Sequence, residues 1–173
     1  ALMEYGDRIL QFKRNKLILI NVSQEIETIE GVYPDYGIAH REAVCKCGEG
    51  IAWANETGLY YYDGEKIENL IYDKDGKALI QMDERSQDTD NRHGWKKFYF
   101  EDTMISYDSS TQTIHIISRS KDHGGVDNNA QVSRFYLYHI NQRCWAYNEI
   151  LGNTLALNND SILNNGVTNM VNL

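Results

Sequence analysis

Proline is almost absent from this chain, cysteine numbers three, and no apolar run is long. The single proline, Pro34 in "GVYPDYG", discriminates nothing. An odd cysteine count argues against a disulfide framework. The longest apolar stretches fall far short of the roughly 18 residues of a membrane-spanning helix, and "ALMEYGDRIL" lacks the charged, apolar, small-residue order of a secretory signal. No membrane span is expected. The formal net charge is −8, and the 17 Lys and Arg are scattered singly or in twos, with no basic stripe to follow a phosphate backbone. Direct nucleic-acid binding is not expected.

What is present is a moderately apolar chain of 173 residues, 42% hydrophobic, enough for one ordinary domain and too much for wholesale disorder. Helical periodicity is not sustained in any useful window. Short runs rich in Val, Ile, Tyr, Phe and Trp recur instead, separated by Asn, Asp, Gly, Ser and Lys, which is an all-β pattern.

The grouping of these runs carries the architecture. From Ala43 to Leu70 four follow one another: "AVCKC", "GIAWAN", "GLYYYD" and "KIENLI" (the last reaching Ile71), joined by two- or three-residue turns as in a small antiparallel meander. From Thr103 to Ile150 there are four more: "TMISYD", "TIHIISRS", "RFYLYHI" and "RCWAYNEI". "LYYYDGEKIENL" and "FYLYHINQRCWAY" correspond, each an aromatic strand, a polar turn and a mixed strand. Near the start, "RILQFKR" and "KLILINV" supply two strands, with a third expected at Glu25 to Ile29.

The sequence thus divides into a partial blade at 1–30, a complete blade at 42–71, an interrupting loop at 72–102, a complete blade at 103–150 and the start of a further blade at 151–173. A period of about 40 residues is that of a four-stranded propeller blade. The expected fold is all-β, built of β-propeller blades. Because a propeller closes with roughly four to eight blades, the chain is expected to be a segment of a larger one; the Ala1 start and the ending "TNMVNL" fit that expectation.

The order of motifs in "GIAWANETGLYYYDGEKIENL" (Gly50 to Leu70) resembles a blade pattern of bacteriophage tail and tail-nozzle proteins: an aromatic-bearing strand, "N-x-x-G", an aromatic strand ending in "YDG", then "K-I-x-N-L". "RILQFKRNKLILIN" resembles the preceding blade of that pattern, and "GWKKFYFEDTMISYDSSTQTIHII" the Trp-bearing connection and "YD" hairpin of the following one. The resemblance implies a non-enzymatic structural component of a tailed-phage virion. It would be oligomeric around the tail axis, in contact with other tail subunits, located in the virion and assembled in the host cytoplasm. It implies no catalytic, cofactor-binding or metal-binding residue and no cofactor.

Candidate chemistry is thin. Cys45 and Cys47 share one strand face with Cα atoms about 6.8 Å apart, at the outer limit for a bridge; a metal half-site there would need Cys144 and a histidine to converge from afar. "DKDG" at Asp73 to Gly76 suggests calcium through Asp73 and Asp75, but the EF-hand spacing is not met, and a polar turn before a short apolar run is the simpler reading. No G-x-S-x-G occurs, and His40, His93, His115, His123 and His139 form no recognisable triad. Trp53, Trp95 and Trp145 are expected to pack between blades; Tyr60, Tyr61 and Tyr62 must alternate sheet faces, so at least one packs between blades while another faces the adjacent blade or solvent. The alternative function is a glycan-recognition propeller, with or without calcium, that uses loop aromatics and carboxylates. Partner contacts are expected first in 72–102 and in "SKDHGGVDNNAQ".

Overall fold

The computed structural model describes residues 1–80, 94–99, 101–118 and 133–150. They form three four-stranded antiparallel sheets, each a meander in chain order. The first contains β1 (Leu2–Tyr5), β2 (Arg8–Phe12), β3 (Lys16–Asn21) and β4 (Thr28–Pro34); the second β5 (Val44–Cys47), β6 (Gly50–Asn55), β7 (Gly58–Tyr62) and β8 (Ile67–Asn69); the third β9 (Met104–Asp108), β10 (Thr113–Ser118), β11 (Ser133–His139) and β12 (Cys144–Ile150). Among the described residues helix is limited to a 3-10 turn at Arg41–Ala43 and a single α turn, α1, at Trp95–Phe98. The fold is all-β and made of propeller-like blades, and no ring closes among the described residues.

One expectation needs correction. The first unit is a complete four-stranded sheet reaching Pro34, not a partial blade ending at residue 30. Of its two outer strands, both edges, β1 was not expected and β4 lies later in the chain, at Thr28–Pro34, than the strand expected at Glu25 to Ile29. β1 is only "LMEY", while β4 carries Glu30, Gly31 and Pro34 and breaks register opposite Leu19/Ile20. Charge, bulges and proline are what edge strands tolerate and central strands do not. Within 72–102, the expected interrupting loop, Tyr72 bridges to Ala78 and "GWKKF" supplies α1. Residues 81–93 and 100 of that loop, the whole of the 120–131 loop and the expected further blade at 151–173 lie outside the described residues.

The second sheet is packed on both faces. On one, Ile51 and Trp53 of β6 and Tyr60 and Tyr62 of β7 meet Leu10, Phe12, Leu17 and Leu19 of the first sheet in one buried cluster. On the other, Cys47, Ala52, Ala54 and Leu59 meet Ile105, Ile114, Ile116, Tyr136 and Tyr138 of the third, with Trp95 and Phe98 of α1 filling the space between. This explains why β6, "GIAWAN", reads as a continuous apolar run: every residue of it is buried.

Aromatic rings set both interfaces. Phe12 stands edge-on to Trp53 with centroids 5.2 Å apart, and Trp53 stacks on Tyr60 at 5.5 Å. In the other cluster Trp95 Nε1 donates to the Asn55 carbonyl at 2.9 Å and Trp145 Nε1 to the Leu70 carbonyl at 3.0 Å. All three tryptophans therefore lie between sheets, and Tyr61 faces the third sheet while its two neighbours face the first.

Polar side chains fix the strand ends. Asn21, Asn55 and Asp108 each accept, through Oδ1, the amide and hydroxyl of the Ser or Thr two residues on, at 2.6–2.9 Å. Such Asx turns end a strand without leaving its backbone unpaired. Asn55 also donates from Nδ2 to the carbonyls of Asp35 and Gly37, at 2.9 and 3.0 Å, joining the first two sheets. At their other end, Arg8 binds Glu30 at 2.6 Å and Tyr5 donates to the Asp63 carbonyl at 2.6 Å. Gly64 completes that turn at φ +101°, where a Cβ would stand 2.6 Å from the Tyr5 hydroxyl.

Two consequences are measurable. Trp53→Ala should lower unfolding free energy by about 3–5 kcal/mol, whereas Leu2→Ala, at an exposed position, should stay within about 0.5 kcal/mol of wild type; urea titrations of both variants make the comparison. The hydroxyls of Ser110 and Thr111 pull the Asp108 carboxyl down from the ordinary 3.8 to about 2. Its contribution is therefore complete above the ordinary value and is lost as pH falls from there through about 2. An Asp108→Asn variant should show a shallower loss of stability with acid across that window.

Candidate binding groove

At the outer margin of the second and third sheets the chain leaves a groove of about 450 Å³, beside a smaller recess of about 100 Å³ with which it shares the lining residues Glu68, Leu70, Tyr138 and Arg143. Four pieces of chain build it. β8 brings Glu68 and Asn69, the bridge between Tyr72 and Ala78 holds Tyr72 and Leu79 on the wall, β11 places Tyr138 at the floor, and the turn before β12 delivers Arg143.

Several polar groups here are already engaged with one another. Lys66 Nζ donates to Glu68 Oε1 at 2.5 Å and Arg143 to Glu68 Oε2 at 3.3 Å, so one carboxylate is clamped from two sides. The Glu68 carboxylate in turn raises the pKa of the Lys66 ammonium. Arg143 has a left-handed backbone, φ 51°, uncommon for a residue with a side chain. Burial pushes the phenol of Tyr138 up. Asn69 is fully engaged in the frame, accepting from the Ile71 amide at 3.1 Å and donating to the Thr57 carbonyl at 3.2 Å.

Asp73 has a structural task. Its Oδ1 accepts the amides of Asp75 at 3.0 Å and Lys77 at 2.8 Å, while the Gly76 amide bonds to its carbonyl at 3.0 Å. "DKDG" is thus a self-capped polar turn. Asp75 lines the groove beside it. No group of three or more His, Cys, Asp or Glu is gathered for a metal among the described residues.

The remaining sequence candidates stand apart. Cys45 and Cys47 lie on one face of β5 with sulfurs 3.4 Å apart and are not bridged to each other. The Cys47 thiol, as hydrogen-bond neighbour, and burial together push the Cys45 thiol well up. Cys144 is exposed, in the third sheet. His40 pairs through Nδ1 with Glu42 at 2.8 Å, which lowers the Glu42 pKa. His115 is in β10, where burial lowers its pKa, and His139 ends β11, near the Gln142 amide. His93 and His123 lie outside the described residues. Among the described residues, neither His40, His115 nor His139 lines the groove.

Sequence reasoning missed Glu68 and Arg143 as partners, because they are 75 positions apart and neither carries a local motif. The pointer to the segment beginning at 72 was the available signal, and Tyr72, Asp73, Lys74, Asp75 and Leu79 come from it.

The thiols offer a test. With a neutral aromatic disulfide reagent at pH 8, Cys144 of the native chain should react at least tenfold faster than Cys45 or Cys47; equal labelling of Cys45, read by peptide mapping, would contradict the burial described. Compared with family models and with curated proteins, the chain matches none.

Proposed function

We propose that this chain is a non-enzymatic structural component of a tailed-phage virion, in the tail or nozzle, where it contributes propeller blades to an oligomeric assembly with other tail subunits. Further blades would complete the ring. The observation that carries the assembly part of this reading is the face of the first sheet that no other described sheet covers.

The register puts Leu2, Gln11, Ile18 and Val32 in one row across that face and Glu4, Ile9, Ile20 and Ile29 in the next. Leu2 is 64%, Val32 51% and Ile29 66% exposed. On the corresponding faces of the other two sheets, Ile51, Trp53, Ile114 and Ile116 are each 0% exposed, because a neighbouring sheet lies over them. A blade with apolar residues on both faces is stable only when both are covered, the rule of repeat architectures. Each Val, Leu or Ile fully buried there would contribute about 1.5–3 kcal/mol, so such a face favours association. The phage assignment rests on the order of blade motifs in the sequence.

The test has two arms. In sedimentation velocity the chain should associate at micromolar concentration, and Ile18→Glu combined with Val32→Glu should return it to monomer with unchanged β-sheet circular dichroism. Mass spectrometry of purified phage particles encoding the chain should find it in the tail fraction. A concentration-independent monomer absent from particles would sink the proposal.

A further inference from the structure

The six large apolar side chains exposed among the described residues fall in two places: Leu2, Ile26, Ile29 and Val32 belong to the first sheet and its β3–β4 connection, whereas Tyr72, 38% exposed, and Leu79, 44% exposed, stand on the wall of the groove. The second pair is not explained by stacking of blades. We infer that the groove between the second and third sheets is a binding site for a neutral carbohydrate.

The chemistry of the lining selects that class. A volume of about 450 Å³ lies within the ~300–1,000 Å³ of small-molecule sites. Glu68, Asp73 and Asp75 face two cations, Lys74 and Arg143, and Lys66 joins the Glu68 pair from the adjoining recess. Since Glu68 engages both Lys66 and Arg143, the groove offers an anion little net attraction. A purely apolar ligand would strand Asp75, Lys74 and Arg143 against hydrocarbon, which desolvates charge without compensation. No cluster of three or more His, Cys, Asp or Glu is gathered for a divalent ion among the described residues, and Oδ1 of Asp73 already accepts two backbone amides.

A pyranose satisfies both halves of the lining. Its C–H face is apolar and lies flat on an aromatic or aliphatic surface, here Tyr72 and Leu79, while its ring of hydroxyls both donates and accepts. Carboxylates accept from such hydroxyls and guanidinium donates to them, in charge-assisted bonds stronger than neutral ones. Glu68 is held from two sides, by Lys66 and by Arg143, so ordering its carboxylate costs little on binding. This site does not depend on the assembly role, since all its residues come from one chain.

The experiment is saturation-transfer NMR on the full chain with maltotriose, cellotriose, chitotriose and sialyllactose as probes, followed by titration of the best binder. The expected result is that at least one neutral trisaccharide binds with a dissociation constant of millimolar or tighter and that sialyllactose binds more weakly. Tyr72→Ala and Asp75→Ala should each weaken binding at least tenfold, with Tyr72→Phe close to wild type and Leu2→Ala unaffected. Because Tyr72 is exposed, an unchanged thermal midpoint will show that the variants remain folded. Adding a calcium chelator should change nothing. The inference is overturned if no neutral probe binds at 10 mM, if sialyllactose is preferred, if binding survives Tyr72→Ala, or if chelation abolishes it.

Discussion

The burial of β6 on both sides is the constraint from which the rest of this structure follows. A strand whose six residues are all shielded from water needs a sheet against each face, and the chain supplies one before it and one after it. Each neighbour is then committed in turn. The first sheet presents Leu10, Phe12, Leu17 and Leu19 to Trp53 and the tyrosines of β7; the third presents Ile114, Ile116 and Tyr136 to α1 and the alanines of β6. Removing either neighbour would expose an aromatic or aliphatic layer that no loop on the described chain could cover.

This arrangement separates two kinds of surface. Between sheets, polar groups are few: Asn55 makes four hydrogen bonds, three of them to backbone groups, Trp95 and Trp145 each donate to a carbonyl, and Trp53 Nε1 is buried without a partner among the described residues. At the outer margin, where β8 and the β11–β12 turn diverge, charged side chains meet across the interface and leave a concavity. The interior thus determines where a ligand could sit without supplying any of the groups that would recognise it.

Central strands were legible in the sequence because burial on one or two faces leaves a strong apolar signature, as in "KLILIN", "GIAWAN" and "TIHIIS". β1 was not and β4 was only roughly placed, since an edge strand is selected partly against sticking and carries Glu, Gly and Pro for that purpose. The turns were readable from Asn and Asp followed by Ser, Thr or Gly. The groove was readable only by halves: the segment after residue 72 announced itself as irregular, but nothing near Arg143 says that Glu68 will be opposite it. Such a pairing comes from the angle at which two sheets pack, which is a property of the whole interface rather than of any window of residues.

The two faces of β6 differ in size, with Ile51 and Trp53 toward the first sheet and Ala52 and Ala54 toward the third. In a half-exposed strand the cost of a one-residue slip is apolar surface turned to water. Here both faces are dry, so hydrophobicity cannot tell one register from the next. Volume does so instead: a slip would drive the Trp53 indole into space already filled by Trp95 and Phe98 and leave methyl groups opposite Phe12. Steric mismatch thus guards the alignment of the central sheet, and the alternation of bulky and small residues along six positions is a register code written without a single charge.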